Sequence, residues 1–315
     1  MKEEIILDPY AKKVVDDSTK RPYIFELPVE EGRQKLEEIQ SSYVYKYPAK
    51  ICSQVISTGR TGNIKVYVVV PISCSSSSKV IFYLHGAGWV FGSFHTHEKL
   101  VRELCARTNS VVVFPEYTRA PEARFPVALE QCFHIMCNIP EILSGMNIKA
   151  DYKSLVVAGD SAGGNMAISM AFMTKYQNGP SICKLLLYYP VTDDNFNTQS
   201  YQEFSDGYYL YREGMKWFWD QYVPKINERQ YILASPLKAT LQQLRRFPPT
   251  MIINGGVDVL RDDGEQFANK LRAAGISVTQ VCFPDMIHDF VMLHSLDTSN
   301  ACRAAMDVSV GWLQR

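Results

Sequence analysis

Short apolar runs alternate along the chain with longer segments in which apolar residues recur at the spacing of a helix. The short runs predict buried strands, and the longer segments predict amphipathic helices. Strands are predicted near 80–84, 110–114, 154–158, 183–188, 250–254 and 278–283, and helices near 97–107, 123–137, 162–177 and 264–271. This alternation predicts an α/β fold with a mostly parallel central sheet that is covered by helices on both faces.

Three regions depart from this alternation. Residues 51–57 and 64–70 resemble an opening pair of strands joined by a turn. Residues 1–48 contain a charged helical stretch at 29–39, whereas residues 193–233 are rich in aromatic side chains. We expect both of these last regions to lie outside the central sheet and its covering helices.

Composition fits one large domain, because a chain of 315 residues with 46% hydrophobic residues can bury a substantial core. Lys plus Arg equals Asp plus Glu at 33 each, so the charge indicates neither nucleic acid nor an anionic membrane as a partner. Residues 1–4 lead into only Ile5, Ile6 and Leu7 before a polar stretch, which is too short for a secretory signal. No run is long enough for a membrane span. We therefore expect a cytoplasmic protein, either a monomer or a homodimer.

Eight cysteines are scattered along the chain and form no CxxC pair. This pattern favours free thiols in a reducing cytosol over disulfides or a metal site. His97-Glu98 lacks a second histidine at the spacing of a zinc protease, since position 101 is valine. The sequence predicts no metal and no organic cofactor.

The sequence GDSAG at 159–163 lies between a predicted strand and a predicted helix. This is the context of a nucleophile elbow, in which a serine on a sharp turn projects its hydroxyl into a cleft. Ser161 is therefore the candidate nucleophile, although the pattern also occurs by chance in loops of small residues. Asp160 is expected to hold the geometry of the turn through hydrogen bonds.

The sequence HGAGW at 85–89 directly follows another predicted strand. Glycine-rich backbone can present N–H groups to an oxygen that becomes negative during acyl transfer. We assign Ala87 and Gly88, with Ala162 after the nucleophile, as donors, and count Gly86 with this oxyanion hole. The alternative is a loop shaped only for a turn. His85 is expected to support the loop rather than transfer protons.

These motifs together resemble the hormone-sensitive-lipase-like branch of the α/β-hydrolases. The matching sequences are HGAGW at 85–89, YTRAPE at 117–122 with Phe125 and Pro126, GDSAGGN at 159–165, DVLRDDG at 258–264 and MIHDF at 286–290. The resemblance covers about residues 63–315 in the order of the family. One residue departs from it, because Ala87 replaces the middle glycine of the oxyanion loop, where a methyl group disfavours positive φ.

The other two members of a catalytic triad follow from chain order. In α/β-hydrolases the nucleophile is followed by the acid and then by the histidine. Asp258 follows the predicted strand at 250–254, and His288 follows the strand at 278–283 and a turn at 284–285. Asp262 and Asp263 compete with Asp258, but we expect them to cap the helix at 264–271. His294 is the poorer alternative to His288.

The resemblance also implies a cap over the active site. It divides the chain into an N-terminal part of the cap (1–48), a first part of the hydrolase core (49–192), a cap insertion (193–233) and a second part of the core (234–315). Aromatic residues of the insertion could line a substrate pocket or only pack the cap on the core. As pocket residues we name Trp89, Phe94 and Tyr208.

The sequence hypothesis is a serine carboxylesterase that hydrolyses short to medium-chain esters through an acyl-enzyme. Its small-molecule substrate needs no cofactor in this mechanism. An amidase or deacetylase with the same triad is the alternative within hydrolases. A small-molecule receptor on the same fold, as in the plant gibberellin receptors that resemble this family, or a regulatory scaffold with residual esterase activity, are the alternatives from other classes.

Overall fold

The structure is a computed structural model that describes residues 5–315. Residues 1–4, which contribute to the prediction that there is no secretory signal, lie outside the described residues. Within 5–315 an eight-stranded sheet has the order β1-β2-β4-β3-β5-β6-β7-β8. The strands are β1 (Ala49–Ser57), β2 (Asn63–Pro71), β3 (Lys79–Leu84), β4 (Val111–Glu116), β5 (Asp151–Asp160), β6 (Ile182–Tyr188), β7 (Thr250–Val257) and β8 (Val278–Ile287).

Helices separate most of these strands, as the hydrophobic pattern predicts. They are α1 (Pro9–Ser18), α2 (Val29–Ile39), α3 (Phe94–Thr108), α4 (Val127–Cys137), α5 (Ile139–Gly145), α6 (Ala162–Gln177), α7 (Gln199–Glu203), α8 (Arg212–Tyr222), α9 (Leu241–Leu244), α10 (Arg261–Ala273) and α11 (Asn300–Gln314). The strand β2 pairs antiparallel with β1 and with β4, and the remaining pairs from β4 to β8 are parallel.

The two faces of the sheet carry two separate apolar cores. Along β3, Val80, Phe82 and Leu84 belong to one buried cluster, whereas Ile81 and Tyr83 belong to the other. Successive side chains of a strand point to opposite faces, so a continuous apolar run is what a sheet with two covered faces requires. The predicted α/β fold with a mostly parallel sheet is therefore confirmed.

Two local predictions near the carboxyl ends of the strands need correction. The strand β8 continues to Ile287, so His288 follows it directly instead of following a turn at 284–285. Asp262 and Asp263 lie inside the first turn of α10 and do not precede it as caps. Their carboxylates instead accept hydrogen bonds from the N–H groups of Ser200 (2.9 Å) and Thr192 (2.7 Å), which tie the next segment of chain to α10. Burial raises the pKa of Asp263 to about 8.

Residues 5–48 and 193–233 lie against each other and against the loops that follow β3; we call these two segments the roof. The ring of Tyr23 stacks on that of Tyr211 at 4.3 Å, which joins the two segments. The guanidinium of Arg33 donates from Nε to the carbonyl of Val90 at 2.9 Å and pairs with Glu122. Among residues 5–315, no helix combines the length and the apolar character needed to cross a membrane.

Candidate active site

Ser161 stands on a strained turn between β5 and α6. Its backbone has φ 52° and ψ −118°, which a residue with a side chain rarely adopts and which costs about 1–3 kcal/mol. The turn is held because the N–H of Ser161 donates to the carbonyl of Tyr188 on the neighbouring strand at 2.9 Å. Gly163 is required beside it, since a Cβ there would lie 2.6 Å from the backbone of His85. The predicted strand, turn and helix place the Ser161 hydroxyl at the carboxyl ends of the strands.

His288 and Asp258 complete a hydrogen-bonded chain with this hydroxyl. The distance from Ser161 Oγ to His288 Nε2 is 2.9 Å, and that from His288 Nδ1 to Asp258 Oδ2 is 2.7 Å. The other oxygen of Asp258 accepts the N–H of Leu260 at 2.9 Å, which fixes the carboxylate. All three residues are almost fully buried. The structure thus brings together the three side chains that the sequence assigned to a triad, with the geometry of a nucleophile, a base and an orienting acid.

The pKa of His288 is raised by nearby carboxylates, chiefly those of Asp258 and Asp289. Burial alone lowers the pKa of this imidazole, but the charges of Asp258 and Asp289 oppose burial and leave it above its ordinary value. Asp289 Oδ1 lies 3.4 Å from His288 Nε2. Carboxylates therefore lie near both nitrogens of the imidazole, where they favour its charged form.

The loop after β3 presents two backbone N–H groups near Ser161. Ala87 and Gly88 both have positive φ, at 72° and 65°, and among the described residues their N–H groups have no hydrogen-bond partner. Gly86 differs, because its N–H donates to Asp160 Oδ1 at 3.1 Å. The assignment of Gly86 to the oxyanion hole is corrected on this ground: it anchors the loop, and its donor is already used. Ala162 directly follows Ser161 and begins α6, so its N–H belongs to the first turn of that helix.

Asp160 organises a buried hydrogen-bond network under this loop. Besides Gly86, its carboxylate accepts the hydroxyl of Tyr83 at 2.7 Å and contacts His97 Nε2 at 3.2 Å. Burial would raise the pKa of Asp160, but His97 and the hydrogen bonds outweigh burial and keep it low. Sequence reasoning missed Tyr83 and His97. The alternation along β3 places Tyr83 on the face opposite to Leu84, but nothing in the sequence pairs it with position 160.

His85 supports the same loop by stacking. Its ring lies 4.2 Å from the ring of Tyr117, whose hydroxyl donates to the His85 carbonyl at 2.8 Å. Burial lowers the pKa of His85 to about 3, so the imidazole is neutral and does not serve as a general acid at neutral pH. His294, the weaker alternative to His288, contacts the carbonyl of Ser42 instead of Ser161.

A cavity of about 490 Å³ lies between the triad and the roof. Its floor includes Ala87, Gly88, Ser161 and His288. The roof contributes apolar and aromatic side chains to its wall, and the charged residues Asp17, Lys20, Arg21 and Lys35 also line it. The apolar and aromatic residues of the roof are Pro22, Tyr23, Ile24, Phe25, Leu27, Leu36, Ile39, Leu210, Tyr211, Met215 and Phe218, with Tyr209 and the oxyanion-loop neighbour Phe91 beside them. Its size and apolar lining are typical of a site for a small molecule.

The three residues predicted to line a substrate pocket do not line this cavity. Trp89 is fully buried and stacks on Tyr222 at 4.6 Å. Phe94 stacks on Tyr67 at 4.0 Å, and Tyr208 packs edge-on against Phe204. Each of them fills space within the protein, and Tyr209 lines the cavity one position after Tyr208. Composition shows that a segment is rich in aromatic residues, but it does not show which of them face the cavity. A rotation of the segment by one residue changes the side chains that face inward.

No group of three or more His, Cys, Asp or Glu residues in the described part of the chain has the arrangement of a metal site. The eight cysteines are free, and they range from buried Cys105, Cys132 and Cys302 to exposed Cys137, Cys183 and Cys282. Burial raises the pKa of Cys105 to about 12, which leaves this thiol protonated at neutral pH.

Comparison with known proteins places this fold and site in one family. A sequence model described as the alpha/beta hydrolase fold matches residues 81–292. A solved thermostable esterase from Pseudomonas putida has a TM-score of 0.94 and 35% identity, covering 99% of this chain and 98% of that one. An esterase of Gibberella moniliformis is 34% identical over 232 residues, 73% of this chain and 72% of its own length.

A carboxylesterase of Mycobacterium tuberculosis is 29% identical over 288 residues, which is 90% of this chain and 89% of its own length. The Pseudomonas putida structure covers 99% of this chain, so that likeness extends well beyond the short motifs. The chain belongs to the α/β-hydrolase family, in its hormone-sensitive-lipase-like branch of carboxylic ester hydrolases.

Proposed function

We propose that the protein is a serine carboxylesterase that hydrolyses short to medium-chain esters through an acyl-enzyme on Ser161. The observation that carries this proposal is the chain of hydrogen bonds from Ser161 Oγ through His288 to Asp258 at the floor of an apolar cavity. Geometry of this kind serves proton transfer and covalent catalysis together. We also propose that the roof acts as the cap of the site.

In the acylation step, His288 Nε2 takes the proton of the Ser161 hydroxyl while Oγ attacks the ester carbonyl carbon. Asp258 holds the imidazole so that Nε2 faces the serine, and it stabilises the imidazolium. The carbonyl oxygen becomes negative and accepts hydrogen bonds from the N–H groups of Ala87, Gly88 and Ala162. Each such donor lowers the barrier by about 3–4 kcal/mol. His288 then gives its proton to the leaving alcohol as the carbon–oxygen bond breaks.

Deacylation repeats these roles with water. His288 Nε2 removes a proton from the water as its oxygen attacks the acyl carbon, and the proton then returns to Ser161 Oγ as the carboxylic acid leaves. No step requires a metal or an organic cofactor. The length of acyl chain is limited by the roof, because the side chains of Ile24, Met215 and Phe218 bound the cavity above the nucleophile.

The test is hydrolysis of p-nitrophenyl esters from acetate to palmitate by the wild type and by Ser161→Ala. We expect turnover on short and medium chains, little on palmitate, and a loss of at least roughly 10⁴-fold in the variant. Thermal unfolding of the variant should match the wild type, because only a hydroxyl is removed. The Ser161→Cys variant is a matched control that keeps a nucleophilic atom at the same position.

Two outcomes would contradict the proposal. Wild-type turnover in Ser161→Ala would remove this serine from the mechanism. A folded wild-type protein with no activity on any ester would point instead to an amidase or to a binding protein. Acyl anilides with the same acyl groups then separate these two, since an amidase cleaves them and a binding protein does not.

A further inference from the structure

Gln40 connects the roof to the segment of chain that follows His288. The residue comes directly after α2 and is 1% exposed. Its Nε2 donates to the carbonyls of Thr96 (2.8 Å) and Met292 (3.1 Å), and its Oε1 accepts the N–H of His294 at 3.0 Å. One buried amide therefore joins the end of α2, the first turn of α3 and the chain just beyond His288.

The chemistry of this amide matches its surroundings closely. A glutamine side chain offers two N–H donors and one carbonyl acceptor, and here both donors meet backbone carbonyls while the acceptor meets a backbone N–H. A side chain of the same size without an amide fills the same space but makes none of these hydrogen bonds. Gln40 does not line the cavity, so a change at this position leaves the wall that faces an ester in place.

The chain that the amide holds is the turn 289–293. The N–H of Met292 donates to the carbonyl of Asp289 at 2.9 Å, and so does the N–H of the next residue, which closes the turn. On the side of the core, Lys99 Nζ donates to the carbonyl of Val291 at 3.0 Å. The turn thus has one side-chain anchor from α3 and one from the roof. A shift of Met292 is passed to Asp289 through the closed turn.

The position of Asp289 matters for the imidazole beside it. Its Oδ1 lies 3.4 Å from His288 Nε2, and its Oδ2 accepts the hydroxyl of Tyr209 at 3.3 Å. The attraction between a carboxylate and an imidazolium weakens as the two groups separate. The other titratable groups near this pair belong to the core, and they are Asp258, Asp160, His97 and Tyr189. Of all these groups, only Asp289 stands on the turn that the roof holds.

Resting on the esterase function proposed above, we propose that Gln40 is a positioning residue, which holds Asp289 beside His288 through the turn 289–293. Gln40 then differs from the apolar residues of the roof, because it acts on the base of the reaction and not on the fit of the ester. A displacement of about 1 Å in an active site can cost about 100-fold in rate. The amide prevents such a displacement of the turn.

The experiment replaces Gln40 by methionine, which has a similar size and no amide. We expect kcat on ethyl butyrate, measured in a pH-stat where the rate no longer depends on pH, to fall about tenfold. We also expect the acid limb of kcat/KM to move to lower pH by about half a pH unit, because the carboxylate that favours the imidazolium is held less closely. A loss of stability alone does not move this limb.

Gln131→Met is the matched control. Gln131 is also fully buried, and its amide also joins two segments of chain. Its Nε2 donates to the carbonyl of Thr61 at 2.7 Å, and its Oε1 accepts the N–H of Thr118 at 2.9 Å. Neither partner belongs to the turn 289–293. Both variants should lose similar stability in thermal unfolding, but Gln131→Met should keep its acid limb at the wild-type pH.

A double variant identifies the route of the effect. In Asp289→Asn the charge on the turn is absent, so adding Gln40→Met should not move the acid limb any further. If Gln40→Met does not fold, Gln40→Asn takes its place, because its shorter amide reaches fewer of the partners. The same direction of shift is then expected.

Two results would overturn the inference without touching the proposed function. One is an acid limb that stays at the wild-type pH when Gln40 is replaced, whatever the value of kcat. The other is an undiminished further shift in the double variant, which would show that Gln40 acts on His288 by a route other than Asp289. Failure of the proposed function is distinct, because the wild type would then hydrolyse neither ethyl butyrate nor p-nitrophenyl butyrate.

Discussion

The floor of the cavity and the roof above it are built by different kinds of contact. The floor, by which we mean the elbow at Ser161, the oxyanion loop and the residues Asp258 and His288, depends on backbone positions that only certain residues allow. Ser161 and Ala87 hold positive φ, and Gly86 and Gly163 leave no room for a Cβ. The roof depends on side-chain packing between segments that are far apart in sequence, as in the stack of Tyr23 on Tyr211.

This difference explains how each region responds to change. At Gly86 and Gly163 a single added methyl group has no room, so the backbone must move. We expect such a movement to impair catalysis. Packed apolar side chains tolerate exchange for others of similar size, usually at a cost below about 1.5 kcal/mol. We therefore expect substitutions in the floor to alter the rate of catalysis and substitutions in the roof to alter which ester is favoured.

Gly86→Ala should impair catalysis through the addition of a single methyl group to the floor. Its Cβ would overlap Asp160 Oδ2 and lie 2.6 Å from the Asp160 carbonyl, so the loop that carries the Ala87 and Gly88 donors must move. Losing the alignment of one oxyanion donor lowers kcat by about 100-fold or more. We expect that decrease on p-nitrophenyl butyrate, measured beside thermal unfolding.

Gly311→Ala is the matched control for this variant. A Cβ at Gly311 meets no atom within 4 Å, and the residue lies in α11. Alanine is favoured over glycine inside a helix by up to about 1 kcal/mol, so this variant should keep its activity and gain slightly in stability. Full activity in Gly86→Ala would show that the loop is adaptable and that the floor does not depend on close backbone contact.

The pH dependence of kcat/KM tests the electrostatics of the floor. In the proposed mechanism His288 must be neutral to accept the proton of Ser161, and nearby carboxylates, chiefly Asp258 and Asp289, oppose burial and raise its pKa above the ordinary value of about 6.5. Activity should therefore be present above that raised pKa and fall about tenfold per pH unit below it. A pH-stat profile with ethyl butyrate measures this limb.

Asp289→Asn sharpens the same measurement. It removes one of the charges that raise the pKa of His288, so the limb should move to lower pH than in the wild type. A wild-type limb at or below 6.5, or a limb that Asp289→Asn does not move, would contradict the electrostatic account while leaving the hydrogen-bonded geometry unaffected.

Phe218→Leu should change selectivity more than catalysis. Phe218 lines the cavity, and its ring lies so close to Gly88 that a Cβ there would overlap it. Removing the ring opens space next to the nucleophile, and hydrophobic pockets discriminate between chains that differ by single methylene groups. We expect the ratio of kcat/KM for hexanoate to that for acetate to rise roughly tenfold.

Phe94→Leu provides a closely matched control for Phe218→Leu. The two phenylalanines are 7% and 6% exposed, but Phe94 packs on Tyr67 and does not line the cavity. Both variants should lose similar stability, and only Phe218→Leu should alter the hexanoate to acetate ratio. An altered ratio in Phe94→Leu would mean that the shape of the cavity is set by packing at a distance.

The difference between local backbone features and contacts of distant segments also separates what the sequence predicts from what it does not. The alternation of strands and helices, the bounds of α2 and the turn at Ser161 follow from local patterns, because periodicity and glycine spacing are local properties. The pairing of Asp160 with His97 and the choice of Tyr209 over Tyr208 do not. They depend on contacts between residues 63 positions apart or on one residue of rotation in a loop. Gly86 belongs to the recognisable motif HGAGW at 85–89. Which N–H groups of that motif are free depends on the position of Asp160, which accepts the N–H of Gly86.

Ala87→Gly is the smallest change, and it tests the position where floor and roof meet. Ala87 holds a φ of 72° in the oxyanion loop and is among the residues that line the cavity. Glycine relieves the backbone strain but has more freedom to lose on folding, and each effect is worth up to about 1 kcal/mol. The free energy of unfolding should therefore change by less than about 1 kcal/mol, as measured in urea.

If the methyl group only occupies a backbone position, activity on all acyl chains will stay equal to wild type. We expect instead that bulky acyl groups such as pivalate gain about threefold over acetate, because the methyl group narrows the cavity beside the oxyanion donors.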